Sequence, residues 1–134
     1  MIIYCVVTSL LNALCSLALG VAAFLKDRRN PLNVTFGCLS FSVALWAGPY
    51  FWWQISNDHE TALRCCRLLS IGALAIPITY YHFVLHLLRR PTDRTIFVGY
   101  LLLGGFTLLA PFSVLVADVT PKLDFPCWPE PGPL

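Results

Sequence analysis

Four long apolar runs separated by short loops constrain this chain more than any other feature. They cover about 3–25, 34–55, 66–88 and 96–117. A helix rises 1.5 Å per residue, so about 20 apolar residues match the hydrocarbon core of a bilayer. Charged residues make up 12% of the 134, against about 25% in a soluble domain. The expected fold is all-α: a polytopic membrane helix bundle with four transmembrane helices over 1–117, and a Pro-rich external tail over 118–134. The first run lacks a basic leader, is too long for a signal peptide and is followed at once by a basic loop. It reads as an uncleaved span.

Loop charge predicts the orientation. The first loop, "KDRRNPLN", carries Lys26, Arg28 and Arg29, and the third, "RRPTDRT", carries Arg89, Arg90 and Arg94. The second, "SNDHET", has Asp58 and Glu60 and no Lys or Arg. Short cytoplasmic loops are enriched in Lys and Arg. Loops one and three are therefore expected inside, with both termini and loop two external to the cell (inner) membrane. Arg64 and Arg67, just past loop two, weaken that bias.

The spans carry packing signals. Ser9, Ala13, Ser16 and Gly20 place small side chains on one face of the first run, with Asn12 on the same flank. Small residues let membrane helices approach closely. Packing against a neighbouring span is the preferred reading, ahead of dimerisation. Pro49, Pro77 and Pro111 fall inside three of the four runs and are expected to kink them. Tyr50, Trp52 and Trp53 suit the outer interface, while Trp46 lies deeper, between helices. The tail holds Pro126, Pro129, Pro131 and Pro133. It is expected to be extended, to form no helix, and to be anchored on the outer face by Trp128.

Candidate chemistry is sparse. His82 and His86 stand one turn apart in "PITYYHFVLHLLRRP". His86 is close enough to the arginines to be wetted. His82 is intramembrane, and a neutral ring hydrogen-bonded to a neighbouring span is the preferred reading. A zinc site would need further ligands, and His59 belongs to the opposite side, so no metal or other cofactor is expected. Arg64 and Arg67 read first as interfacial anchors with snorkelled head groups. Their functional reading is a cationic pair at the mouth of an outward pocket, suited to an anion. Arg64, Arg67, His82 and Trp46 form the candidate ligand-binding set. Cys15 and Cys38 read as small hydrophobes, and a disulfide between Cys127 and Cys65 or Cys66 is left open. The chain has no phosphate loop, nucleophile elbow or zinc-protease motif, so it is not expected to be an enzyme.

A family pattern lies over these features. Asn33 follows the basic loop, then come "CLSFSVALWAGPYFWW", a short polar loop, "ALRCCRLLSIGALAIPITYYHFVLHLL" and "WPEPGPL". Ala62, Arg67, Gly72, Pro77 and the His82–Phe83 pair carry the likeness. The chain resembles, over roughly 30–134, the N-terminal seven-helix sensor region of membrane-bound sensor histidine kinases, and only its first four helices. The resemblance implies a sensory input role in a two-component system, with the kinase core lying outside this chain, so that the chain is a fragment or a stand-alone relative. It implies as partners the lipid bilayer and the missing helices or a kinase module, in cis or in trans. A homodimer is a further candidate, and no nucleic acid is expected. The alternative is a small redox or haem-associated membrane subunit using His82 and His86.

Overall fold

The computed structural model describes residues 2–112, 115–122 and 125–133; the side chains of residues 2, 122 and 125–127 are excepted. Helices α1 (Ile2–Lys26), α2 (Pro31–Ile55), α3 (His59–Leu87) and α4 (Arg94–Leu109) are followed by strands β1 (Val116–Lys122) and β2 (Phe125–Pro131). The helix starts follow from local chemistry. Asn30, Asp58 and Asp93 each cap a helix, their side chains accepting from the N–H groups of Leu32, Thr61 and Ile96. Such caps satisfy donors that the first turn leaves orphaned. Pro31 opens α2, where its missing N–H costs nothing. At the far end of α3, Arg89 takes φ 54°. The Arg90 N–H reaches the Leu85 carbonyl at 2.8 Å and that of Arg89 reaches His86 at 3.1 Å. This left-handed closure is the one that glycine usually provides.

α1, α2 and α3 are long and apolar enough to cross a membrane. The apolar side chains of α1 mostly face outward: Leu11, Leu14 and Leu19 are each more than half exposed. Apolar surface on that scale suits lipid rather than water. The helices pack in chain order, α1 on α2, α2 on α3 and α3 on α4.

The small face of α1 packs within the chain. Ser9 and Gly20 are buried, and the Gln54 amide donates to the Ser9 hydroxyl at 3.1 Å. A Cβ on Gly20 would lie 2.8 Å from that of Ser40. Asn12 does not reach across; it accepts from Ser16 of its own helix at 3.3 Å and is exposed. Between α2 and α3 the approach is closer still. A Cβ on Gly72 would sit 2.6 Å from the backbone nitrogen of Trp46. Further along, the Thr79 and Ser42 hydroxyls meet at 3.3 Å.

The fourth element differs from the expected span. α4 ends at Leu109 rather than Ala117, and its 16 residues reach only about 24 Å. Pro111 is the physical reason: without an N–H it cannot bond Thr107 and extend the helix. It terminates α4 rather than kinking it, and the Phe112 N–H turns back to Leu109 at 3.0 Å. Pro49 and Pro77, in contrast, lie inside α2 and α3. Residues 113 and 114 of the expected span lie outside the described residues. From Val116 the chain enters an antiparallel hairpin, in which Asp118 faces Glu130 and Thr120 faces Trp128. β1 takes in the last two residues of the expected fourth span, Val116 and Ala117, and the rest of the hairpin is the expected extended tail folded on itself. Val116 and Val119 join Trp53, Ala62 and Cys66 in the buried apolar cluster of the molecule. The hairpin covers the two turns of α3 that α4 is too short to reach.

Candidate functional site

The four residues singled out from sequence do not converge. Trp46 packs at the level of Gly72. His82 is ten residues further along α3, about 15 Å away at the helical rise. The arginines are engaged separately. Arg64 pairs with Glu60 at 2.9 Å on the surface, both side chains mostly exposed, an arrangement worth little in stability. Arg67 donates from Nη1 to the Pro111 carbonyl at 2.8 Å and so closes the end of α4. Its buried Nε has no hydrogen-bond partner. The geometry gives Arg67 a structural role where α4 stops, and it places neither arginine beside Trp46.

His82 finds its partner on α4. Its Nδ1 lies 3.0 Å from the Tyr100 hydroxyl, and the two rings meet edge to face at 5.7 Å. The His86 ring is 5.0 Å from that of His82. Among the described residues no group of three or more His, Cys, Asp or Glu is placed to hold a metal ion. Two more contacts fix α4 on α3: the Tyr81 hydroxyl on Asp93 at 3.0 Å, and the Gly99 backbone against Ile78. Tyr100 could have been found from sequence as a polar aromatic in an otherwise apolar run.

An aromatic-lined cleft of about 380 Å³ lies at the hairpin end, between α2, α3 and the hairpin. Trp46, Tyr50 and Trp53 line it from α2, and Ser70 from α3. Pro129, Glu130 and Pro131 close it from the hairpin. Trp46 and Tyr50 stack at 5.6 Å with an interplanar angle of 8°, and Trp53 meets Tyr50 at 5.4 Å and Trp128 at 5.9 Å. The spacing of 46, 50 and 53 at three and four residues puts these rings on one helix face. Sequence reading found Trp46 but assigned Tyr50 and Trp53 to the lipid interface, and it had no means of bringing Glu130 to them.

A polar latch holds the hairpin over this cleft. His59 Nε2 lies 2.8 Å from Asp118 Oδ1. The Asp118 carboxyl is held below its usual range, first by the Val119 N–H and then by His59. Asp58, beside it in the chain, is also lowered, chiefly by the hydroxyl and N–H of Thr61. The side chain of Cys127 lies outside the described residues, and with it the open disulfide to Cys65 or Cys66.

Three helices long and apolar enough to cross a membrane, with an aromatic cleft under a hairpin cap, define the class as a helical membrane protein. Comparison with known families gives that class a particular form. The model of the N-terminal 7TM region of histidine kinase matches residues 8–123, most of the chain, and the chain belongs to that family. The match takes in most of α1, which the sequence likeness had left out, and stops before "WPEPGPL". Nothing in it points to redox chemistry. No curated protein and no solved structure matches.

Proposed function

We propose that this chain is the sensory input part of a two-component signalling protein. It receives a stimulus at the hairpin end and passes it through the α2–α3 contact to a kinase module in cis or in trans. The observation that carries the reading is the family match over 8–123, joined to a cleft whose walls come from two helices and a separately latched hairpin. A ligand touching three elements changes their relative free energy, which is what a two-state input requires. The basic loops favour an orientation in the cell membrane with the hairpin and both termini external, and α4 then serves as a short fourth crossing.

The family description counts seven transmembrane helices. An apolar groove of about 480 Å³ runs over α2 and α3 between α1 and α4, lined by Phe41 and Leu45 of α2 and Ala75 of α3 among others. It gives the further helices a seat. Among the site residues, Trp46 is the one we retain for ligand contact; Arg67 and His82 position α4, and Arg64 is a surface anchor.

Phosphotransfer tests the reading. Membranes carrying this chain with its kinase partner are supplied with radiolabelled ATP, and histidine phosphorylation is compared with and without residues 1–134. The expected result is a changed level or a lost stimulus dependence. An identical level under every stimulus tried would overturn the input role.

A further inference from the structure

We infer that the cleft under the hairpin is a binding site for a small organic cation, of the quaternary or tertiary ammonium class, with an apolar body. The inference rests on the input reading in taking this cleft as the place where a stimulus acts. Three aromatic rings, Trp46, Tyr50 and Trp53, share the lining with one charged residue among the described residues, the carboxylate Glu130. Aromatic faces carry negative electrostatic potential and attract cations, most strongly when water is excluded. Apart from Ser70, whose hydroxyl donates to the Cys66 carbonyl of its own helix at 2.9 Å, the remaining lining, including Leu69, Val116 and two prolines, is apolar and would cover alkyl groups that an ordinary inorganic cation lacks. A volume of about 380 Å³ falls within the range of small-molecule sites.

The charges around the cleft point the same way. Glu130 stands directly across the hairpin from Asp118, and His59 engages Asp118. Glu130 accepts from the Thr120 hydroxyl, at 3.0 Å on Oε1, which orients the carboxylate without neutralising it. Among the described side chains, Arg64 is committed to Glu60 and Arg67 to the Pro111 carbonyl, and neither lines the cleft. This reverses the sign expected from Arg64 and Arg67, because those two side chains bond Glu60 and the Pro111 carbonyl and are not part of the cleft wall.

The test uses the full chain in lipid nanodiscs, with empty nanodiscs subtracted. The probes are choline and its neutral isostere 3,3-dimethyl-1-butanol, followed by tryptophan fluorescence and calorimetry. Choline is expected to bind saturably, at least about ten-fold tighter than the neutral isostere, because only the charge differs between them. Glu130→Gln, on the exposed hairpin, is expected to weaken choline about five-fold or more and leave the isostere unchanged. Trp46→Leu should abolish the preference, with circular dichroism checking that the helices remain. Equal affinity for the two probes, or no saturable choline signal from the folded chain, overturns the inference. Phosphotransfer separates this from the input role. Choline binding, with a kinase that is indifferent to choline and to every other stimulus tried, leaves the site standing and removes the signalling reading. A kinase that responds to another stimulus while choline fails to bind does the reverse.

Discussion

At the scale of single residues, the bond between His82 and Tyr100 is the clearest consequence of placing polar groups in lipid. An unpaired imidazole or hydroxyl in hydrocarbon is costly, and here each satisfies the other at 3.0 Å. Hydrogen bonds between membrane helices average about 0.6 kcal/mol and reach about 1.7. Tyr100→Phe and His82→Leu are therefore each expected to cost about 1 kcal/mol. The double variant should cost about the same as either single one, since both remove one interaction. His82→Gln keeps a donor and an acceptor and should be the better tolerated change at that position. Unfolding in mixed detergent micelles measures all four; additive losses would show that the bond does not form. His86 is only partly buried and touches His82 through its ring, so His86→Gln should be close to neutral.

At the scale of elements, the helices differ in how closely their backbones meet, and glycine substitutions should rank accordingly. At Gly72 an added Cβ would press on the Trp46 and Leu45 backbone at 2.6–2.9 Å, and backbone cannot rotate away. At Gly20 the obstacle is the Ser40 Cβ at 2.8 Å, and at Gly104 nothing lies within 4 Å. Overpacking costs about 1–3 kcal/mol. Gly72→Ala is expected at the top of that range or above, Gly20→Ala in its lower half, and Gly104→Ala neutral or slightly stabilising through helix propensity. Thermal scans in lipid would reveal a different order, and a harmless Gly72→Ala would mean that α2 and α3 do not meet there. The hairpin carries a pH dependence of definite sign. Asp118 is lowered on folding, so its contribution to docking is present above its unfolded value, about 3.9, and lost as pH falls through the lower folded value. Asp118→Asn should raise hydrogen exchange in β1 at pH 6, and the difference from wild type should shrink as pH falls through the lowered folded value. A persistent difference in acid would place the effect outside the carboxylate. Legibility from sequence also divides by element. α1 to α3 were readable because lipid demands length and apolarity, which composition records directly. The end of α4 was not, because "PFSVLVADVTPK" is as apolar at its start as a helix in lipid. Only the proline and the β-branched valines and threonine mark the change, and an apolar run does not by itself separate strand from helix. The cleft was half legible: Trp46 could be marked as interhelical, but Glu130 reaches it through a hairpin that no local pattern announced.

At the scale of the whole molecule, the proposed orientation ties loops, α4 and hairpin into one claim. Lys26, Arg28 and Arg29 lie at the same end of the bundle as Arg89, Arg90 and Arg94, because successive helices run antiparallel. The hairpin lies at the other end, against Trp53 and Ala62. Positive loops are retained in the cytoplasm, so the hairpin and its cleft should face outside. The weak point is α4, whose 16 residues fall short of the roughly 20 that a crossing usually takes. Its geometry answers this in part: it begins beside the basic end of α3 and ends where Pro111 meets Arg67, and the hairpin completes the height. Reporters fused after Arg29 and after Arg90 are therefore expected to be cytoplasmic, and one fused after Leu134 external. Paired alkaline phosphatase and fluorescent-protein fusions read the two states independently. A cytoplasmic reporter at Leu134 would mean that α4 lies in the interface or turns back, and would put the aromatic cleft on the wrong side for an external stimulus. Replacing Arg89, Arg90 and Arg94 together by Gln should weaken the bias and yield a mixed population at the Arg90 fusion, since the second loop has no Lys or Arg but is followed closely by Arg64 and Arg67. An unmixed cytoplasmic signal in that triple variant would mean that the first loop alone sets the topology.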